Sequence, residues 1–230
     1  KVYVTNGGSG TVSVVDTATN TVKATVPVGS SPFGVAVNSA GTKVYVANAG
    51  CYEDIDNNVS VIDTATNTVI ATVPVGTNPL GVAITPDGTK VYVTNRYSNN
   101  ISVIDTTANT VVSTANTGKY PTGVAVSSGG KKIYVTNYGD NTVSIIDTAT
   151  KTVITTVSVG RGPKEIAVIP DGTKVYVVNS DSGSISVIDT ATNSVTNTVK
   201  LGGVPFGVAA SPDGKKVYVT NNDKYFSSVS

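Results

Sequence analysis

The stretch VYVTNRYSNNISVIDTTANTVV (Val91–Val112) contains the pattern from which the fold can be inferred. Its opening VYVTN, or a near copy of it, recurs along the chain. The six copies start at Val2, Val44, Val91, Ile133, Val175 and Val217. Successive starts are 42, 47, 42, 42 and 42 residues apart. A fixed period in this range indicates that one supersecondary unit is built repeatedly.

Each period contains four short apolar segments separated by turn formers. In one period they are the inner strand at 34–38, a second strand at 42–48, a third at 59–64 and an outer strand at 67–75. Asp-Gly and Gly-Gly pairs between them favour tight hairpins, because glycine tolerates a positive φ. No window has the apolar period of a helix. The sequence therefore predicts an all-β chain, a β-propeller of four-stranded antiparallel blades.

The strand pattern also predicts how the blades pack. In KVYVTN the valines point to one face and Tyr3 and Thr5 to the other, and neither face is charged. A sheet that lies between two neighbours needs two such faces, so we expect no repeat to be stable alone. We expect the following residues to be largely buried between blades: Val2, Val4, Tyr45, Val91, Val93, Ile133, Tyr134, Val135, Val175 and Tyr176.

Composition excludes several classes of function. Sixteen basic residues balance fifteen acidic ones, which argues against binding duplex nucleic acid or an anionic membrane. The longest apolar runs are a few residues, too short for a transmembrane segment. The chain has no histidine, which excludes His-based triads and the usual zinc sites, and its single cysteine, Cys51, cannot form an internal disulfide.

The repeats VYVTN, SVIDTATNTV, ATVPVG and GVAITPDGTK resemble the YVTN β-propeller repeat family over essentially the whole chain. Stretches such as SVGRGPKEIAV and NNDKYFSSVS are most similar to the propeller domain of archaeal surface-layer proteins of the Methanosarcina type. The resemblance implies an extracellular, cell-surface location, a seven-bladed ring and no known catalytic residues. We therefore expect a protein that is not an enzyme and needs no cofactor.

The number of repeats leaves the closure of the ring open. We expect residues 1–230 to form a single propeller domain, an arc of about five and a third blades from a seven-bladed ring, truncated at its C-terminus. The alternative is a closed five-bladed ring, in which the inner strand near Val208 pairs with Tyr3. That closure leaves the last twenty residues, which keep the blade pattern, redundant.

Most carboxylates belong to the repeated turns. We expect each of them to accept hydrogen bonds from backbone N–H groups of its own turn. They are Asp16, Asp63, Asp105, Asp147 and Asp189 at the ends of third strands, and Asp87, Asp171 and Asp213 in Pro-Asp-Gly turns.

The remaining acids and most other distinctive residues fall in the loops between second and third strands or at the entrance to inner strands. Because strands alternate in direction, these loops share one end of the blades. The acids are Glu53, Asp54, Asp56, Asp140, Glu165, Asp181 and Asp223, and Lys119, Arg161 and Lys224 are also there. We predict a ligand- or partner-binding face made by Tyr52, Tyr97, Tyr120, Tyr138, Tyr225, Phe226, Arg96, Lys164 and Glu165.

Three local features have competing interpretations. Asp54, Asp56 and Asn58 have calcium-loop spacing, but Val59 stands where the loop glycine is needed, which favours a solvated acidic loop without metal. Glu165 replaces the glycine of the other inner strands (Gly34, Gly81, Gly123 and Gly207) and either pairs with Lys164 or contacts a ligand in the channel. Asn58 and Asn100 begin glycosylation sequons, but a chain rich in Asn, Ser and Thr contains several by chance, so they carry little weight.

We consider three functions from these observations. The first is an extracellular structural and recognition module of the surface layer that binds a glycan or protein partner. The second is a propeller that binds single-stranded nucleic acid, because Arg96-Tyr97, Lys119-Tyr120 and Lys224-Tyr225-Phe226 pair a cation with a stacking ring. Seven acids on the same face argue against it. The third, a lactonase-like enzyme with a channel metal, lacks histidine and a cluster of acids.

Overall fold

The computed structural model describes residues 1–50, 56–222 and 227–229, and these residues form strands and turns without a helix. The chain divides into two compact units, residues 1–115 and 116–230. Within the described residues the strands form six antiparallel sheets, four of four strands and two of three. This confirms the prediction of an all-β chain built from four-stranded antiparallel blades.

Unit 1 contains the first three sheets. Sheet 1 is β1 (Val2–Asn6), β2 (Thr11–Asp16) and β3 (Thr21–Pro27). Sheet 2 is β4 (Pro32–Val37), β5 (Lys43–Asn48), β6 (Asn58–Asp63) and β7 (Thr68–Pro74). Sheet 3 is β8 (Pro79–Ile84), β9 (Lys90–Asn95), β10 (Asn100–Asp105) and β11 (Thr110–Asn116).

Unit 2 repeats the arrangement. Sheet 4 is β12 (Pro121–Val126), β13 (Lys132–Asn137), β14 (Thr142–Asp147) and β15 (Val153–Ser158). Sheet 5 is β16 (Pro163–Val168), β17 (Lys174–Asn179), β18 (Ser184–Asp189) and β19 (Ser194–Lys200). Sheet 6 is β20 (Pro205–Ala210), β21 (Val217–Asn222) and β22 (Ser227–Val229).

The core lies between successive sheets, and the alternation within VYVTN determines which side chain enters which interface. In unit 1, Tyr45 packs against Val91 and Val93 of the next sheet, while its neighbours Val44 and Val46 pack against the preceding sheet. In unit 2 the Tyr134 ring packs with Val175 and Val177 in the same way. In these motifs the valines therefore pack against the preceding sheet, and the tyrosine packs against the following sheet.

The observed burial confirms most of the predicted core, and this packing rule explains the residues for which the prediction was wrong. Seven predicted residues are at most 1% exposed: Tyr45, Val91, Val93, Ile133, Tyr134, Val135 and Val175. Val2 and Val4 are 49% and 45% exposed, so that prediction was wrong. Valines of this motif face the preceding sheet, and sheet 1 has no preceding sheet in its unit. Tyr176 is half-buried, because it packs against sheet 6, which has only three strands in the described chain.

The pairing of β20 rules out the five-bladed alternative. Val208 pairs with Val219 of β21, and Ala209 and Ala210 pair with the two residues before Val219. The closed ring required the strand at Val208 to complete the sheet of Tyr3. Residues beyond Ala210 instead form two further strands on β20, so they are part of a sheet and not redundant.

The turn acids behave as predicted, because each accepts at least one backbone N–H of its own turn. Asp105, for example, accepts from Thr107 and Ala108, each at 2.9 Å. Three hydrogen bonds lower the pKa of Asp105 to about 2. The largest effect comes from Ala108 N–H, followed by the Lys90 side chain and Thr107 N–H. The other seven donors are Ala18, Ala65, Thr89, Ala149, Thr173, Ala191 and Lys215.

The lowered pKa of Asp105 predicts a loss of stability in acid. Between its ordinary value of 3.8 and about 2, the unfolded chain binds more protons at this group than the folded chain does. The free energy of unfolding should therefore fall as the pH is lowered through that window. Urea unfolding at several pH values should show Asp105→Asn to be less stable than the wild type at pH 7. The gap should close towards pH 2, and a gap that stays constant would contradict this assignment.

Candidate functional site

In unit 2, the two groups of distinctive loops are hydrogen-bonded to each other. The loop at 138–141 lies along the loop at 117–120, since Tyr138 N–H donates to the Tyr120 carbonyl at 3.1 Å and Gly139 N–H to Lys119 at 3.0 Å. The Asp140 carboxylate accepts from Lys119 N–H at 2.7 Å. These bonds place both loops at one end of sheet 4, as the alternation of strand direction predicted. They also show that Asp140 is part of the loop scaffold.

Tyr120 has an unusual backbone for a bulky residue. Its φ is 53°, in the left-handed region, and its side chain is 44% exposed. In three other repeats the same loop position also has a positive φ, and it holds Ser31, Asn78 or Gly162, residues that tolerate this conformation more easily. The Tyr120 ring lies against Gly139, where a Cβ would come within 2.7 Å of the ring atom Cδ2. Strain of this kind costs about 1–3 kcal/mol and is concentrated at functional sites.

Tyr138 connects two sheets at the same end. Its hydroxyl donates a hydrogen bond of 3.1 Å to Oδ2 of Asp181, in the loop between β17 and β18. Asp181 is exposed, and its own N–H donates to the Arg161 carbonyl at 3.2 Å. Together Tyr120, Tyr138 and Asp181 form a surface with an exposed ring, a half-buried ring and a carboxylate, which we call the aromatic surface. The link between Tyr138 and Asp181 was not predicted from the sequence.

Lys164 and Glu165 do not form the local ion pair that was one of the two interpretations. The Lys164 ammonium lies 4.8 Å from the centroid of the Phe206 ring in the next sheet, a cation–π contact. Burial raises the pKa of the Glu165 carboxyl, partly offset by a hydrogen bond from Ile166 N–H. Both residues lie where the pairing of β16 with β17 shifts register, between Pro163 and Ile166.

Two of the glycines that Glu165 replaces lie against the backbone of the next inner strand. A Cβ on Gly34 would fall against the Leu80 carbonyl oxygen of the next inner strand. A Cβ on Gly123 would fall against the Lys164 carbonyl oxygen and within 3.1 Å of Glu165 Cα. At Gly34 and Gly123 the inner strands approach each other closely, so only glycine fits there without a shift of the neighbouring backbone.

Unit 1 contains a second pair of distinctive side chains. The Arg96 guanidinium carbon lies 5.9 Å from the centroid of the Tyr97 ring, and Tyr97 is 58% exposed. Their loop is held by hydrogen bonds from Arg96 N–H to Asn78 O at 3.0 Å and from Thr77 N–H to Ser98 Oγ at 2.8 Å. Tyr97 is thus an exposed ring on a hydrogen-bonded loop of its own unit.

In the described part of the acidic loop of unit 1, the polar groups form hydrogen bonds within the unit. The Asp56 carboxylate accepts from Ser30 N–H, and Asn58 Nδ2 donates to the Asp56 carbonyl at 2.6 Å.

Some of the predicted site residues lie outside the described residues. They are Tyr52, Glu53 and Asp54 in residues 51–55, and Asp223, Lys224, Tyr225 and Phe226 in residues 223–226. In the described part of the chain, no three His, Cys, Asp or Glu side chains are grouped to hold a metal ion.

Sequence reasoning missed a buried polar ladder made by the asparagine that ends each VYVTN motif. Asn137 is fully buried, and its Nδ2 donates to Thr142 Oγ1 at 3.0 Å and Ser144 Oγ at 2.9 Å. Equivalent bonds are made by Asn6, Asn48, Asn95 and Asn179. The ladder explains the sequons, because Asn58 and Asn100 and the serines that follow them accept from it. The sequence signal that could have predicted this ladder is the Asn that ends each motif, together with the Ser in each third strand.

The comparisons with known proteins agree with this architecture. The model of the YNCE-like beta-propeller family matches residues 2–129 and 124–227. No curated protein matches the chain. The described part of the chain contains no helix long and apolar enough to cross a membrane.

Two solved structures are similar to the chain. One is Kuenenia stuttgartiensis hydrazine synthase, at 26% identity and a TM-score of 0.77, covering 85% of this chain and 57% of that one. The other is a functionally unknown protein from Desulfotomaculum acetoxidans, at 22% identity and a TM-score of 0.82, covering 99% of this chain and 77% of that one. The second shows the fold alone, and this chain spans little more than half of the first. With the repeats, the sheets and the family match in agreement, the chain belongs to the YNCE-like beta-propeller family.

Proposed function

We propose that this propeller is a binding module of the cell surface and not an enzyme, and that it recognises a glycan or a protein through the aromatic surface and the neighbouring loops. The observation that carries the proposal is Tyr120, a large exposed ring held in a left-handed backbone conformation that three other repeats give to Ser, Asn or Gly. The left-handed conformation is unfavourable for a bulky side chain. A ligand that stacks on the ring gives a reason to retain it.

The surface-layer location is the finer part of this proposal. It is supported by the likeness of the repeats to surface-layer propellers and by the Thr- and Asn-rich composition. The loops fit a recognition role, because backbone bonds between them hold Tyr120 and Tyr138 before any ligand arrives. Preorganisation of this kind lowers the entropic cost of binding.

Tyr120→Asn should separate binding from stability. Asparagine occupies the equivalent position 78 at φ 55°, so the melting temperature should be unchanged or higher. Binding of the labelled protein to a glycan array should fall at least tenfold, because the stacking ring is lost. Lys131→Ala, an exposed change in the turn at the opposite end of sheet 4, is the matched control and should bind like the wild type.

Two outcomes would contradict the proposal. Equal array binding by the wild type and Tyr120→Asn would exclude the aromatic surface as the binding site. An empty array together with a salt-dependent mobility shift of a single-stranded oligonucleotide would favour the nucleic-acid alternative, which Lys119 beside Tyr120 makes chemically reasonable.

A further inference from the structure

A groove of about 380 Å³ lies within unit 2 between the end of β15 and the faces of β18 and β19. This volume is in the range of small-molecule sites. Its lining contains five hydroxyl side chains and two cations but no carboxylate. The lining residues are Ser158, Val159, Gly160, Arg161, Ser182, Ser184, Ser186, Val195, Thr198 and Lys200.

The floor of the groove is a row of oriented serines. Ser184 and Ser186 are each 1% exposed, and their hydroxyl oxygens accept hydrogen bonds from Asn179 Nδ2 at 3.3 Å and 3.0 Å. Ser186 also accepts from Gly160 N–H at 3.4 Å. Because these bonds occupy the Ser186 oxygen as an acceptor, its hydroxyl hydrogen remains for donation. The floor is therefore polar but buried, and the hydroxyls open to a ligand rich in oxygen are those of Ser158, Ser182 and Thr198, which are exposed or half-buried.

The rim adds positive charge. Arg161 and Lys200 are exposed at the groove, and no carboxylate of the described residues forms an ion pair with either. Ser182 lies between floor and rim, 3.2 Å from Ser184 by their hydroxyl oxygens. The nearby Asp181 carboxylate is not part of the lining and accepts from Tyr138.

Unit 1 has the same groove with the opposite charge. Its volume is about 280 Å³, and its lining includes Asp56 at the position of Ser182. Ser30 and Pro74 stand where unit 2 has Arg161 and Lys200. The backbone scaffold is therefore common to both units, and the cationic, hydroxyl-rich lining belongs to the groove of unit 2.

We propose that the groove of unit 2 binds an acidic sugar unit, with Arg161 and Lys200 facing its carboxylate and the serine and threonine hydroxyls bonding its hydroxyl groups. Val159 and Val195 offer apolar surface to the C–H groups of a sugar ring. This site is separate from the aromatic surface and does not require it. Bidentate pairing of arginine with a carboxylate supplies the specificity for an acid.

Titration of the full chain with sodium glucuronate, followed by backbone amide NMR, tests the proposal. Saturable shifts are expected at Gly160, Arg161 and Ser182, and glucose should bind at least tenfold more weakly. Ser182→Asp, which copies the acid of unit 1, should weaken glucuronate binding at least tenfold without a change in melting temperature. Arg161→Ala should also weaken it, while Lys215→Ala, in a turn outside the groove, should not.

The proposal fails if glucuronate causes no saturable shift, if glucose binds as tightly, or if Ser182→Asp binds like the wild type. Sulfate that binds as tightly as glucuronate would reduce the groove to a simple anion site and overturn the sugar assignment. Tyr120→Asn should retain glucuronate binding. Loss of binding in that variant would place the ligand on the aromatic surface and overturn the assignment to the groove.

Discussion

Replacing Tyr134 with alanine is expected to lower the free energy of unfolding by about 3–5 kcal/mol, as truncation of a large buried aromatic side chain does. The Tyr134 ring is 1% exposed and fills the interface between sheets 4 and 5, against Val175 and Val177. The two sheets are each held by their own backbone ladders. These ladders keep the backbone of either sheet from collapsing locally into the cavity, so most of the cavity should persist.

Tyr218 provides a matched control, because it occupies the same position of the same motif in the same unit. It is 48% exposed, since in unit 2 no sheet follows sheet 6. Tyr218→Ala should therefore change the free energy of unfolding by no more than about 0.5 kcal/mol, as surface substitutions do. Urea unfolding of both variants, monitored by circular dichroism, measures the difference. Equal losses would show that the tyrosine stabilises each blade internally and not the contact between blades.

Asn137→Ala is expected to lower the free energy of unfolding by at least about 2 kcal/mol, because each buried polar group left unsatisfied costs about 1–3 kcal/mol. Asn137 bonds Thr142 and Ser144 and accepts from Gly118 N–H at 3.1 Å. The side chain is fully buried. Water cannot replace these bonds without opening the loop that covers them.

Asn6→Ala is the corresponding control in sheet 1. Asn6 makes equivalent bonds to Thr11 and Ser13, at 3.1 Å and 2.9 Å, but it is half-buried. Water can therefore reach the groups that lose their partner, and the loss should be about 1 kcal/mol or less. If Asn6→Ala lowers the free energy of unfolding as much as Asn137→Ala does, burial does not determine the contribution of the ladder to stability.

The sequence alone was sufficient to predict the fold and the placement of the repeated residues. The period of 42 and the alternation within VYVTN predicted the buried state of Tyr134 and Val135, because strand geometry places alternate residues on opposite faces. The same pattern predicted burial of Val2 and Val4 and was wrong. Their local sequence matches that of Val44 and Val46, and the difference lies in the neighbouring sheet, which the motif does not encode.

Loop membership was also predictable, since strand direction placed Tyr120 and Tyr138 in loops at one end of sheet 4. Which side chains meet was decided only by the tertiary structure. Tyr138 bonds Asp181, and Lys164 covers Phe206, in pairs 43 and 42 residues apart. The groove likewise combines β15 of one sheet with β18 and β19 of the next. Local patterns determine the conformation of each blade, whereas these contacts depend on packing between blades, which joins residues about one repeat apart.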